Sequence, residues 1–117
     1  MNAMIAQVRP SDLAEWIQAS TSAKAPAVLL DVREPWELQK ASVTAEGFER
    51  VAMAMNDVAA RLTELDPEQP IACLCHHGAR SQRVAMFLAQ NGFSHVANIA
   101  GGIDAWSQER DPRIARY

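Results

Sequence analysis

Cys75 is followed by His76, His77, Gly78, Ala79, Arg80 and Ser81. A nucleophile, two imidazoles, a flexible glycine, a guanidinium and a hydroxyl thus stand together in one short stretch. The apolar run Ile71 to Leu74 comes just before, and apolar residues at helical spacing, Val84, Phe87 and Leu88 with Ala85 and Ala89 beside them, run on to Gly92. That pattern puts Cys75 at the carboxyl end of a buried strand and just ahead of a helix, the place where ligands and chemistry gather in open α/β sheets. A helix start offers unpaired N–H groups and a partial positive charge, so it favours an anion. A thiol at such a place is favoured as thiolate, its nucleophilic form. His76, His77 and Arg80 add donors, and Gly78 admits a backbone conformation that a larger residue resists. An anionic substrate or intermediate suits this loop. A terminal sulfur on Cys75, carried as a persulfide anion, would be held by inward N–H groups as an oxyanion is held in its hole.

Other residues with chemical potential read as structural. Cys73 lies inside the strand and is expected in the core. Two cysteines at this spacing suit neither a disulfide framework nor a Cys-x-x-Cys redox pair, and in a reducing compartment both are expected as free thiols. Cys73, Cys75, His76 and His77 are too crowded to converge on one tetrahedral ion, and His95 is remote in sequence, so no metal site and no cofactor are expected. Gly101-Gly102 reads as a turn into a helix, because no phosphate-binding glycine pattern surrounds it. Trp16, Trp36 and Trp106 are expected as packing residues.

The elements that must position the loop follow from periodicity. Residues 5 to 8 suit a short edge strand, and Pro10, Ser11 and Asp12 start a helix with Leu13, Trp16 and Ile17 as its apolar stripe. Ser20 to Pro26 read as a loop. Ala27 to Val32 suit a buried strand, and Glu37 to Lys40 suit one short helical turn, with Pro35 well placed for its first turn. Ala41 to Arg50 shows neither period. Val51 to Met55 suits an edge strand, Asn56 to Leu65 a helix capped by Asn56 with Val58, Leu62 and Leu65 inward, and Asp66 to Pro70 a turn. Val96 to Ile99 suit a further strand, and Gly101-Gly102 opens a last helix with Ile103 and Trp106 inward. The tail from Asp111 to Tyr117 is expected to run extended along the surface. Alternating strands and helices imply an α/β domain with a mostly parallel sheet and helices on both faces.

The 117 residues suit one domain, 1–117. Apolar residues at 49% and charged residues at 21% place the chain among globular proteins rather than disordered ones. A net charge of −3 with dispersed Lys and Arg gives no reason to expect nucleic acid or a membrane as partner. No apolar run is long enough to span a bilayer and the N-terminus lacks a basic leader with an apolar core, so a cytoplasmic location is expected.

Three stretches resemble the rhodanese, or sulfurtransferase, family: Leu30 to Glu34 with Trp36-Glu37, the loop Cys75 to Ser81, and Gly92-Phe93 through Val96 to Gly101-Gly102-Ile103-Asp104-Ala105-Trp106. The resemblance implies a rhodanese-like α/β fold with a five-stranded sheet. It also implies a catalytic Cys75 that takes sulfane sulfur from a donor such as thiosulfate and passes it, through a persulfide, to cyanide or a thiol acceptor. The backbone from His76 to Ser81 would line the pocket, with Arg80 fixing the loop or orienting the donor. Asp31 and Arg33 would sit beside the loop, either pairing with its charged groups or forming a structural ion pair. The tail from Trp106 to Tyr117 is similar to that of rhodanese domains fused to adenylyltransferases of sulfur-carrier pathways. Ala41 to Met55 departs from the family pattern, lacking its Gly-His-Ile segment and proline-bearing strand.

Two further readings compete. The domain would be a sulfur-relay or binding module that serves a protein partner such as a sulfur carrier, or a Cys-loop phosphatase or arsenate reductase. Only four residues separate Cys75 from Arg80, and so small a ring suits a single sulfur atom better than a phosphate.

Overall fold

The computed structural model describes residues 5–20, 26–44 and 47–117. Five strands form one parallel sheet: β1 (Ala6–Val8), β2 (Val28–Asp31), β3 (Glu49–Ala52), β4 (Ile71–Leu74) and β5 (Val96–Ile99), in the spatial order β1-β5-β4-β2-β3. The expected five-stranded α/β architecture is therefore present. Central β4 pairs Cys73 with Leu30 of β2 on one side and with Asn98 of β5 on the other. A strand with neighbours on both edges and helices on both faces must be apolar throughout, which is why Ile71, Ala72, Cys73 and Leu74 carry no charge.

The helices are α1 (Leu13–Ser20), α2 (Pro35–Lys40), α3 (Ala79–Gln90) and α4 (Gly102–Glu109). Alternation along the strands divides the core in two. Leu29, Ala72, Leu74, Ala97 and Ile99 pack with Leu13 of α1, with Ile103 and Trp106 of α4, and with Ile114. Leu30, Ile71 and Cys73 pack on the opposite face against Val84, Ala85 and Leu88 of α3. Burying apolar side chains on both faces contributes roughly 25 cal/mol per Å² removed from water, and it clamps β4 so that its last residue has a fixed position. Burial also pushes the Cys73 thiol well above its ordinary pKa, as expected for a core residue.

Four expectations are corrected. The stretch Asn56 to Leu65 is not a continuous helix but two 3-10 turns, Met55–Asp57 and Leu62–Glu64, although Val58 and Leu65 are buried as expected. Asn56 and Asp57 lie inside the first turn rather than capping it, and so short a run with Val58 and Thr63 in it has little helical stability of its own. β3 begins at Glu49, earlier than Val51, because an edge strand tolerates the charged Glu49 and Arg50 that hide it from an apolar count. Trp36 is 56% exposed rather than packed inside. The tail does not run extended over the surface: Ser107 Oγ donates to the Ile114 carbonyl at 2.6 Å, Ile114 is buried, and Tyr117 is carried back to the end of the sheet where Cys75 lies. The expected loop Ser20 to Pro26 falls largely on residues 21–25, outside those described. No helix among the described residues is long and apolar enough to cross a membrane.

Candidate active site

Cys75 is the first residue past β4, and the chain reaches α3 within a tight bend. The bend is possible because Gly78 sits at φ 109°, a left-handed conformation that only glycine adopts without strain. It brings the Gly78 N–H to 3.0 Å from Cys75 Sγ, so the backbone donates to the sulfur. Ser81 Oγ, one turn into α3, lies 3.2 Å from the same atom. The sulfur is buried; Cys75 is 1% exposed.

The outer edge of the loop is fixed by α4. The N–H groups of Ile103 and Asp104 donate to the carbonyls of Cys75 and His76 at 2.9 and 3.2 Å. With their carbonyls so occupied, Cys75 and His76 cannot turn those oxygens toward the sulfur, where they would repel an anion. Gly102 makes this contact possible: at φ 62°, a Cβ there would overlap both carbonyl oxygens. Gly101-Gly102 is therefore a turn into a helix, and also the surface on which the loop rests.

Arg80 leaves the loop centre and meets Glu37 of α2. Glu37 Oε1 and Oε2 accept from Arg80 Nη1 and Nη2 at 2.6 and 2.8 Å. Its carboxyl is held down to about 2, first by Arg80, then by the Tyr117 hydroxyl at 2.6 Å and the Glu34 N–H at 3.0 Å, against the opposing effect of burial. Arg80 is correspondingly raised by Glu37. Tyr117 itself is pushed up to about 12, mainly by burial.

Asp31 and Arg33 are brought to the same end of the sheet but pair with each other. Arg33 Nε and Nη2 donate to Asp31 Oδ1 and Oδ2 at 2.8 and 2.7 Å, and both side chains are fully buried. The remaining Arg33 Nη1 donates to the Tyr117 hydroxyl at 3.1 Å and to the Glu37 carbonyl at 3.3 Å. Of the two roles open to Asp31 and Arg33, the structural ion pair is the one observed; the partner of the loop's guanidinium is Glu37. Acting through Tyr117 and Glu37, the pair links β2 to the loop.

His76 stacks on Tyr117 with ring centroids 4.0 Å apart and on His77 at 3.9 Å. Burial lowers the His76 pKa, with His77 adding to the effect, so a neutral ring is favoured at the rim. His77 is exposed, and Ala79 opens α3 at the surface. Among the described residues no three His, Cys, Asp or Glu side chains are grouped to hold a metal.

Three residues of this site escape the sequence reading. Glu37 had a signal: a carboxylate in the first turn after Pro35, within a stretch already similar to the family pattern. Asn98, in β5, is a buried polar residue in an otherwise apolar strand, and it bonds both Ser81 and the Gly78 carbonyl. Tyr117 gives no local signal, since its place depends on the return of the tail.

Residues 10–109 match the model of the Rhodanese-like domain. The chain belongs to that family. Among relatives of the rhodanese-like domain, the Arabidopsis thaliana rhodanese-like/PpiC domain-containing protein 12, chloroplastic, is 41% identical over 78% of this chain, which spans 30% of that protein's length. A sulfurtransferase of Allochromatium vinosum is 28% identical over 75% of this chain and 78% of its own. The crystal structure of a rhodanese-related protein from Thermoplasma volcanium superposes with a TM-score of 0.74 at 28% identity, covering 96% of this chain and 99% of that one. The fold seen here is that of the rhodanese-related protein, and in the Arabidopsis relative the matched part is less than a third of the length.

Proposed function

We propose that this rhodanese-like domain is a sulfurtransferase that carries sulfane sulfur on Cys75. The observation behind this reading is the setting of Cys75 Sγ: at the carboxyl end of the central strand, 3.0 Å from the Gly78 N–H at the start of α3, with Ser81 Oγ on its other side. A sulfur held by a backbone donor at a helix start is suited to carry negative charge, and relatives named sulfurtransferases share the domain.

In the proposed reaction the Cys75 thiolate attacks the sulfane sulfur of a donor such as thiosulfate. A sulfur–sulfur bond forms to Cys75, the donor's own bond breaks, and sulfite leaves with the electron pair. The terminal sulfur of the persulfide keeps the negative charge, where the N–H groups between His76 and Ser81 receive it. Cyanide or a thiolate then attacks that terminal sulfur, and Cys75 leaves as thiolate, ready for another cycle. Arg80, fixed by Glu37, holds positive charge beside the loop through both steps. No cofactor enters, and a cytoplasmic setting, which keeps thiols reduced, completes the proposal.

The test is the intact mass of the protein after brief exposure to thiosulfate, before and after a thiol reductant. The proposal expects a gain of one sulfur atom, lost on reduction, in the wild type and absent from the Cys75→Ser variant. No gain in either protein would overturn it.

A relay role, with a protein as acceptor, is favoured by a second observation. Cys75 is almost wholly covered, while Trp36, 56% exposed, stands edge-on to Tyr117 at 6.2 Å beside the loop and offers an apolar contact at the surface. Slow discharge by cyanide and glutathione with fast discharge by a sulfur-carrier protein would select it. A phosphatase role fits less well, because Arg80 spends both Nη groups on Glu37.

A further inference from the structure

Ser81 has one hydroxyl proton and three acceptors around it: Asn98 Oδ1 at 2.5 Å, Cys75 Sγ at 3.2 Å and the Gly78 carbonyl at 3.3 Å. Which of them takes the proton is fixed by Asn98. Its Nδ2 donates to the Gly78 carbonyl at 3.2 Å and to Gln7 Oε1 at 3.0 Å. Gln7 is itself oriented, since its Nε2 donates to the Ile5 carbonyl at 3.3 Å. Two backbone carbonyls, which only accept, thus set both amides, and a flipped Asn98 would press oxygen against oxygen. Asn98 Oδ1 must therefore face Ser81 and must accept from it.

The geometry points to Asn98 as a positioning residue that controls the proton of Ser81 and, through it, the charge that Cys75 can carry. While the hydroxyl proton lies on Asn98, Ser81 Oγ presents a lone pair to the sulfur. That arrangement suits a protonated thiol, whose S–H donates to Ser81 Oγ as Ser81 donates to Asn98. When Cys75 loses its proton, the same lone pair opposes the charge on Sγ, and the hydroxyl must turn from Asn98 to the sulfur. Asn98 then loses its donor inside a site where Asn98 and Ser81 are 3% and 0% exposed, so water does not replace it. The amide draws the Ser81 proton away from the sulfur and must give it up before Ser81 can donate to a charged sulfur. This inference rests on Cys75 as the sulfur carrier, but its test needs no sulfur transfer.

The test is the rate at which iodoacetamide alkylates Cys75 at neutral pH, with thiolate absorbance in the ultraviolet as the companion signal. Arg80 and Cys73, both coupled electrostatically to Cys75, stay unchanged throughout. Asn98→Leu frees the Ser81 proton for the sulfur and is expected to raise both signals, the rate by roughly fivefold, the scale of a hydrogen bond to a charged group after reorganisation. Asn98→Ala, which adds no bulk, is expected to do the same. In a Ser81→Ala background the Asn98 substitution should change neither signal, because the proton it directs is gone. An equal or slower rate in folded Asn98 variants, or the same gain without Ser81, would overturn the inference. The unaltered protein offers a second measurement: on addition of base, the side-chain amide resonances of Asn98 should move together with thiolate absorbance. Resonances that stay fixed while the thiolate forms would overturn it as well.

Discussion

Glu37 receives both Nη groups of Arg80, at 2.6 and 2.8 Å, and so ties α2 to the loop that carries Cys75. Glu37 is 2% exposed, so taking away its charge would leave Arg80 and Tyr117 facing a covered site without the partner that compensates its desolvation. Its pKa, about 2 in the folded chain against 4.5 when free, is depressed. A depressed carboxyl contributes stability that is fully present above 4.5 and is lost as pH falls toward 2. Urea unfolding of the wild type should therefore lose about 2 kcal/mol more than the Glu37→Gln variant between neutral pH and about pH 3. Parallel losses in the two proteins would show that Glu37 carries no such linkage. Near neutral pH the same substitution should cost about 3 kcal/mol, because Arg80 and Tyr117 keep their places without the charge that held them.

Gly102 and Gly47 both adopt a left-handed backbone, at φ 62° and 79°, but in different surroundings. A Cβ on Gly47 would meet nothing within 4 Å among the described residues, whereas on Gly102 it would overlap the Cys75 and His76 carbonyls. Gly47→Ala should cost only the strain of the conformation, about 1 kcal/mol, and leave sulfur loading unchanged. Gly102→Ala should cost more than 2 kcal/mol by the same scale plus the displaced contacts, and it should slow loading of Cys75. Thermal unfolding and the mass assay, run on both variants, check the contrast; equal effects would mean that the loop does not rest on Gly102.

The parts of this site that lie close together in sequence were legible, and the parts that meet across the fold were not. The run Ile71 to Leu74, the turn through Gly78 and the helix after it announce Cys75, because a strand, a bend and a helix start are written in adjacent residues. Asp31 and Arg33 could be placed near the loop, with a structural ion pair as one of two roles, but the choice between the roles had to wait for the fold, since a sequence does not say which of several nearby charges share a hydrogen bond. Glu37 took the role at Arg80 because it projects from α2, whose short length and Pro35 start fix where its first turn points. The failed helix at Asn56 to Leu65 has the opposite cause. Its apolar spacing was right for burying Val58 and Leu65, yet two 3-10 turns bury those same residues.

Cys73 faces the core beneath α3, paired in register with Leu30 and Asn98, and its thiol is held protonated by burial. A thiol of that kind neither attacks nor is reached. Cys73→Ala should lower stability by about 1 kcal/mol through the small cavity it leaves, with sulfur loading of Cys75 within about twofold of wild type. Alkylation of the native protein should label one cysteine, and a peptide map should place that label on Cys75. Rapid labelling of Cys73 in the folded protein would contradict its burial.

Tyr117 joins three parts of the site, and conservative substitution can separate them. Its hydroxyl donates to Glu37 Oε2 at 2.6 Å and accepts from Arg33 Nη1 at 3.1 Å, while its ring stacks on His76 nearly parallel at 11°. Tyr117→Phe keeps the ring and removes only the hydroxyl, leaving Arg33 Nη1 with the Glu37 carbonyl alone. The expected cost is about 1 to 2 kcal/mol, with alkylation of Cys75 unchanged, because the loop remains covered. Tyr117→Ala removes the stack as well. His76 then keeps only the His77 ring beside it, and alkylation should become several times faster than in the Phe variant, with a larger loss of stability. The difference between the two variants isolates the ring from the hydroxyl: if both alkylate at the wild-type rate, Tyr117 braces Glu37 and does nothing to shield the sulfur.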